Sequence, residues 1–152
     1  MKKVILSVMF AISVWADPYT VGQNVAPLEL EDQHGNHTTL TAMPKTLIMA
    51  YEKGTGATVN EYLNTQDKEY LNKYNAVFIA DISQMPGLVT KLFALPKMRK
   101  YIHTVLLIQD EQQGLQFPSK EEKITVMKFQ DNLLTQVTFI TTTDELKAAI
   151  EQ

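Results

Sequence analysis

Residues 45–63 read KTLIMAYEKGTGATVNEYL, and the interpretation of the whole chain starts from them. The unbroken apolar run at residues 46–51 is typical of a strand that is covered on both faces of a sheet. A turn containing glycines follows the strand, and the first turns of a helix follow the turn. In α/β proteins such a junction, at the carboxyl end of a strand, is where ligands usually bind.

The neighbouring segments extend this pattern into an α/β domain. Alternating apolar and polar residues on both sides of a Gly/Asn turn predict a β-hairpin within residues 28–40. The last two predicted strands, joined by a short turn, form a second hairpin, so the predicted sheet is mixed. The further predicted strands are residues 76–82, 104–109, 124–129 and 133–140.

Helical spacing of apolar residues predicts three helical regions between and after the strands. Residues 57–74 are interpreted as two helical pieces or one bent helix. A second helix carries one apolar face and is kinked or ended by Pro96. The closing helix begins at Thr142 and Glu145, which have the spacing of a capping box. The apolar face of the second helix consists of Leu88, Val89, Leu92, Phe93 and Leu95.

The first residues have the pattern of a secretory signal peptide. Lys2 and Lys3 precede an uncharged run that ends at Ala16, and such a run is too short to span a bilayer comfortably. Cleavage before Asp17 is therefore predicted, with an uncleaved anchor as the alternative. The prediction is one domain at residues 17–152, located in the periplasm or secreted.

Composition restricts the chemistry and the partners. The chain has 152 residues, no cysteine, 14 Lys and Arg against 17 Asp and Glu, and a net charge of −3. Without cysteine there is no thiolate nucleophile, disulfide exchange, iron–sulfur cluster or thiolate zinc site. A mildly acidic chain without a basic run is not expected to bind nucleic acid or anionic lipid.

The predicted domain opens with residues 22–27 (GQNVAP), followed by the alternating strand and turn LELEDQHGN at residues 28–36. This opening resembles that of peroxiredoxins and of TlpA-like periplasmic proteins. Residues 81–87 and the helix after them resemble the YtfJ group of periplasmic proteins. The resemblance implies a thioredoxin-like α/β fold, with a central mixed β-sheet, helices on both faces and an N-terminal β-hairpin.

The same resemblance places Thr55 and Thr58 on the two cysteine positions of the thioredoxin active-site turn. The position of the family's cis-proline falls on Ile102, His103 and Thr104, and without proline we expect a trans peptide there. Threonine forms no disulfide and is not ionised near neutral pH. The chain is therefore not expected to be a thiol oxidoreductase or a thiol peroxidase.

Two functions remain open at this stage. The first, which we favour, is a redox-inactive module without enzymatic activity. It binds another envelope protein or an extended peptide in the groove where family members hold their substrates. An extended peptide could be added there as a strand near His103. The alternative is a thiol-independent enzyme that uses Thr55, Thr58 and His103, oriented by Glu52 or Asp81. The predicted groove consists of Gly54, Thr55, Gly56, Ala57, Thr58, His103 and Thr104.

Other candidate groups have simpler interpretations, and no cofactor is predicted. His34 and His37 are weak metal candidates beside Asp32, because specific zinc sites need roughly three or four ligands. The scattered methionines are expected to fill the core. Tyr62, Tyr70 and Tyr74 are expected to pack on the sheet, and Lys97, Arg99 and Lys100 to form a solvated helix end.

Overall fold

The computed structural model describes residues 17–25 and 27–152, and the predicted signal peptide at residues 1–16 lies outside these residues. The strands are β1 (Leu28–Asp32), β2 (His37–Leu40), β3 (Thr46–Ala50), β4 (Ala76–Asp81), β5 (Leu106–Ile108), β6 (Ile124–Gln130) and β7 (Leu133–Ile140). The helices are α1 (Lys53–Asn64), α2 (Tyr70–Lys73), α3 (Gly87–Val89), α4 (Leu95–Met98), α5 (Glu111–Gly114) and α6 (Thr143–Glu151). No helix in the described ranges is long and apolar enough to cross a bilayer.

All seven strands form one sheet in the order β2-β1-β5-β4-β3-β6-β7. The three central strands β3, β4 and β5 run parallel to one another, and the remaining pairs are antiparallel. The β1–β2 turn passes through Gly35, whose φ of 84° is readily adopted only by glycine. The prediction of a mixed sheet with an N-terminal hairpin is confirmed.

The core lies in two layers, one on each face of the sheet. Successive residues of a strand point to opposite faces, so that Ile48 joins one layer and Leu47 the other. The first layer also receives apolar side chains from helices α1, α2 and α6, namely Val59, Leu63, Leu71, Leu146 and Ile150. Val25 and Phe117, from connecting segments, cover the second layer. Every residue of β3 is buried, as predicted for a strand covered on both faces.

The helical segment with the predicted apolar face forms, but four of the five residues of that face are exposed to solvent. Between α3 and α4 lies a π-helical turn, Thr90–Ala94, in which the Leu95 N–H donates to the Thr90 carbonyl. Pro96 offers no N–H to the Leu92 carbonyl, and its ring crowds that carbonyl, so a regular α-helix cannot continue there. The exposed side chains are Leu88, Val89, Leu92 and Phe93, each with 42% to 70% of its surface accessible.

The π-turn explains why the prediction of one apolar face was wrong. A π-turn contains one residue more than an α-turn, so the residues after it are rotated by roughly 100° relative to a continuous α-helix. Leu95 and Met98 consequently pack against the core, whereas the four apolar residues before them do not. We call Leu88, Val89, Leu92 and Phe93 the outer helical face.

The capping box at the start of α6 is present as predicted. The Thr142 hydroxyl accepts a hydrogen bond from the Glu145 N–H at 3.2 Å, and the Glu145 carboxylate accepts one from the Thr142 N–H at 2.9 Å. Backbone N–H groups of Thr141 and Thr142 lower the pKa of Glu145 to about 2. Both ends of the box are thus satisfied.

Removing this cap should have a measurable cost. The Thr142→Ala variant is expected to lose about 1 kcal/mol of unfolding free energy, because an N-terminal amide of α6 loses its acceptor. Urea unfolding at neutral pH measures the loss. Thr143→Ala is the matched control, since this exposed neighbour is not part of the box, and an equal loss in both variants would contradict the assignment.

Candidate functional site

The turn after β3 is the position at which the sequence predicted a site. Helix α1 begins at Lys53, earlier than predicted, and its N-cap residue Glu52 makes no side-chain capping bond. Thr55 lies inside the first turn, and its buried hydroxyl donates to the Glu52 carbonyl at 3.1 Å. The Thr58 hydroxyl donates to the Gly54 carbonyl at 3.2 Å. Thr55 is therefore a residue of the helix and not its N-cap.

His103 is a buried, neutral side chain that is bonded to the middle of α1. Only 4% of its surface is exposed, and its Nε2 lies 2.8 Å from the Asn60 Oδ1. Since the Asn60 amide nitrogen donates to the Gly56 carbonyl, Oδ1 is the acceptor and His103 Nε2 carries the hydrogen. The ring stacks on Tyr101 at 5.1 Å between centroids. Burial lowers the pKa of His103 to about 4.

These bonds do not assemble the arrangement that the alternative enzyme would need. Both threonine hydroxyls are directed to carbonyls of their own helix, and the His103 Nε2 is directed to an amide oxygen. A hydroxyl without a base in hydrogen-bond reach is not activated as a nucleophile. Glu52 accepts from the Glu122 N–H and Asp81 from the Ser83 N–H, so neither carboxylate orients His103 by a hydrogen bond.

The segment that faces the turn after β3 is not the predicted one. Because β6, rather than β5, pairs antiparallel with β3, the loop before β6 reaches the turn. Its Glu122 N–H donates to the Glu52 carboxylate at 2.8 Å, with Glu122 in the left-handed region at φ 59°. The side chain of His103 is instead bonded to Asn60, in the middle of α1. The expected trans peptide is confirmed, as no bond is cis within the described ranges.

The Gln33 side chain, which was not among the predicted site residues, forms hydrogen bonds with the backbone groups that an extended peptide was expected to bind. Its amide nitrogen donates to the His103 carbonyl at 2.8 Å, and its amide oxygen accepts from the Val105 N–H at 2.9 Å. The Gln33 N–H also donates to the Val105 carbonyl. The side chain is 2% exposed. Strand addition at this backbone is therefore blocked by the chain itself.

Comparison with solved structures shows a similarity of fold at low sequence identity. No family model and no curated protein matches the chain. A peroxiredoxin-like protein from Aquifex aeolicus superposes with a TM-score of 0.56 at 7% identity, over 90% of this chain and 89% of its own. Peroxidoxin BcpB from Mycobacterium tuberculosis superposes at 0.55 and 18% identity, over 86% and 93%. The chain has a thioredoxin-like fold. A thio-disulfide isomerase from Thermus thermophilus also superposes, at 0.52 and 15% identity, over 86% and 94%.

Within the thioredoxin-like fold, the predicted groove residues do not form one open surface. Gly54 is exposed and Gly56, Ala57 and Thr58 are half-buried, whereas Thr55 and His103 are buried. Thr104 is exposed, but it lies beside backbone that Gln33 has paired. The first turn of α1 and His103 are connected only through Asn60, whose amide nitrogen donates to the Gly56 carbonyl and whose Oδ1 accepts from His103.

The two hairpin histidines lie on the surface. His37 Nε2 is 3.3 Å from a Glu31 carboxylate oxygen, and the His34 N–H donates to Asp32. In the ranges 17–25 and 27–152, no group of three or more His, Asp or Glu residues is placed to hold a metal ion. The pair therefore lacks the further ligands that a specific site requires.

The sequence predicted the residues of the outer helical face as one apolar side of a helix, but it did not predict their exposure to solvent. Leu88 is 70% exposed and Phe93 is 68% exposed. The segment also carries exposed Lys91, Lys97, Arg99 and Lys100 and no Asp or Glu between residues 83 and 103. Pro96 was the available signal, because a proline inside a helical pattern often accompanies a change of helical register.

Proposed function

We propose that the chain is an exported, redox-inactive thioredoxin-like module that binds another protein of the cell envelope through the outer helical face. The observation that carries this proposal is the clustering of four large apolar side chains, 42% to 70% exposed, on one short helical segment. Isolated exposed apolar residues are normal on protein surfaces. Adjacent ones, bordered by charged residues, are typical of a protein-binding surface.

The chemistry of the fold supports binding rather than catalysis. The chain has no cysteine, both threonines of the active-site turn donate to helix carbonyls, and His103 is buried and neutral. The outer helical face needs none of these groups, and it is rigidly supported because Leu95 and Met98 of the same segment pack on the core. A pre-formed surface binds without a large ordering cost.

The envelope location follows from the predicted signal peptide at residues 1–16, a basic start followed by an uncharged apolar run. Translocation would deliver residues 17–152 to the periplasm, where the module would meet its partner. The absence of cysteine allows the domain to fold there without disulfide chemistry.

Crosslinking from native envelopes, followed by recovery of the tagged protein, tests this function. The wild-type chain should recover a reproducible partner, and the Leu92→Gln/Phe93→Gln variant should recover it at least about tenfold less well, as expected when anchor residues are lost. Recovery should not change with reductant, because no thiol takes part.

Leu115→Gln is the matched control for this experiment. Leu115 is also a half-exposed leucine, but it follows α5 rather than lying on the outer helical face. Equal recovery by the wild type and the double variant, or no reproducible partner at all, would contradict the proposed function. The far-UV circular dichroism of each variant verifies that the fold is retained.

A further inference from the structure

We infer that the partner presents an apolar segment bordered by carboxylates to the outer helical face. This inference rests on the protein-binding function proposed above and specifies the chemistry of the partner. It follows from the charges around the face, which the formal charge of the whole chain conceals.

The charge distribution is strongly uneven. The chain as a whole carries −3, yet residues 83–103 contain four basic side chains and no acidic one. In the described part of the chain, none of these four forms an ion pair with a carboxylate. They are all exposed, namely Lys91, Lys97, Arg99 and Lys100. The segment therefore combines apolar surface with positive charge that the chain itself does not neutralise.

The positions of the basic residues suit the border of an interface. Lys91 lies between Val89 and Leu92 on the π-helical segment, and Lys97 follows within the next two turns. Arg99 is held in place, since its Nε donates to the Gln33 carbonyl at 3.1 Å. Charges at the border of an interface chiefly accelerate association and select partners of complementary sign. A partner with acidic residues beside its apolar anchors fits this arrangement.

The small size of the outer helical face and the negative charge of the rest of the chain favour a protein partner over an anionic bilayer. Membrane-surface helices bury a long apolar face by roughly 5–10 Å, whereas the outer helical face covers only residues 88–93 before Leu95 and Met98 turn into the core. The net negative charge of the rest of the chain would also be repelled by an anionic surface. A localised acidic site on another protein avoids this repulsion.

Binding of two designed helical peptides to the full-length mature domain tests the inference. One peptide carries a Leu/Phe stripe flanked by Glu, and the other carries the same stripe flanked by Gln. Fluorescence anisotropy should show the Glu peptide binding about tenfold more tightly at low salt, and the difference should shrink between about 50 and about 300 mM salt.

Two double variants separate charge from apolar contact, and a third serves as their control. Lys91→Glu/Lys97→Glu should abolish the preference for the Glu peptide, while Leu92→Gln/Phe93→Gln should weaken the binding of both peptides. Lys68→Glu/Lys147→Glu changes the net charge equally at exposed positions elsewhere and should leave the preference intact. Unchanged thermal unfolding shows that the variants fold.

The possible outcomes distinguish this inference from the function on which it rests. Equal affinity for both peptides, or loss of the preference in the Lys68/Lys147 control, overturns the acidic partner even if the envelope crosslinks depend on Leu92 and Phe93. Tight binding to phosphatidylglycerol vesicles with no binding of either peptide identifies a bilayer and overturns it as well. A preference for the Glu peptide that disappears only in the Lys91/Lys97 variant supports it.

Discussion

Acidification below pH 6.5 should destabilise the protein by up to about 3 kcal/mol through His103 alone. Burial lowers the pKa of His103 to about 4 from its ordinary value of 6.5, because the folded chain holds the ring away from water and disfavours the imidazolium. In the unfolded chain the ring titrates normally. The contribution of the neutral ring is therefore complete above pH 6.5 and is lost progressively as the pH falls from 6.5 to about 4.

Urea unfolding of the wild type and of His103→Phe, at several pH values between about 7 and about 4.5, measures this effect. The wild type should lose stability over that range. The variant keeps an aromatic ring against Tyr101 and should show a much flatter profile, although it leaves the Asn60 Oδ1 without its donor and starts from a lower stability. An equally steep variant profile would assign the slope to other groups.

The range is chosen to separate His103 from the capping box of α6. The pKa of Glu145 is lowered to about 2, so the stabilising effect of its ionised carboxylate is present above its ordinary value of 4.5 and is lost only as the pH falls from 4.5 toward 2. His34 and His37 remain in both proteins and lie on the surface. The difference between the two profiles therefore belongs to His103.

Local patterns predicted most of the elements because the forces that create them are local. The buried strands β3 and β4 are continuous apolar runs, the β1–β2 turn contains a glycine that adopts a positive φ, and the capping box is formed by Thr142 and Glu145. In each of these cases, residues close in the sequence determine the backbone. The order of these elements, together with the resemblance of residues 22–36 to peroxiredoxins, predicted the thioredoxin-like fold.

The candidate site could be predicted only in part, because it depends on which strands become neighbours. The resemblance placed His103 near the turn after β3. In the structure β5 pairs with β1 and β4, and the loop before β6 brings Glu122 to the turn. The outer helical face was misjudged for a different reason. The π-turn before Pro96 rotates Leu95 onto the core while Leu88 and Phe93 remain exposed, and a periodicity analysis that assumes one α-helix cannot detect this change of register.

Gln33 connects these observations to function. In its absence, the His103 carbonyl and the Val105 N–H would be free to accept an extended peptide as an added strand. The structure instead satisfies both groups from the end of the N-terminal hairpin. The Gln33 side chain therefore occupies the backbone groups that were predicted to bind a partner. The exposed apolar surface lies elsewhere, on the helical segment after β4.

Replacing Gln33 by alanine should lower the unfolding free energy by about 2–4 kcal/mol. The loss is large because the substitution removes two buried hydrogen bonds and leaves the His103 carbonyl and the Val105 N–H buried without partners. A buried backbone group that loses its partner keeps its full desolvation cost. Urea unfolding at neutral pH measures the change, and a loss below about 1 kcal/mol would show that water replaces the amide.

Gln109→Ala is the matched control, because Gln109 also uses its amide nitrogen, on the Glu31 carboxylate at 3.1 Å, but does so at an exposed position. Its loss should stay below about 1 kcal/mol, since water can solvate both groups. If Gln33→Ala proved to be folded and gained affinity for extended peptides that the wild type does not bind, Gln33 would be blocking a functional groove. If it lost stability without gaining such affinity, its role would be structural, and the outer helical face would be the only binding surface supported by the described residues.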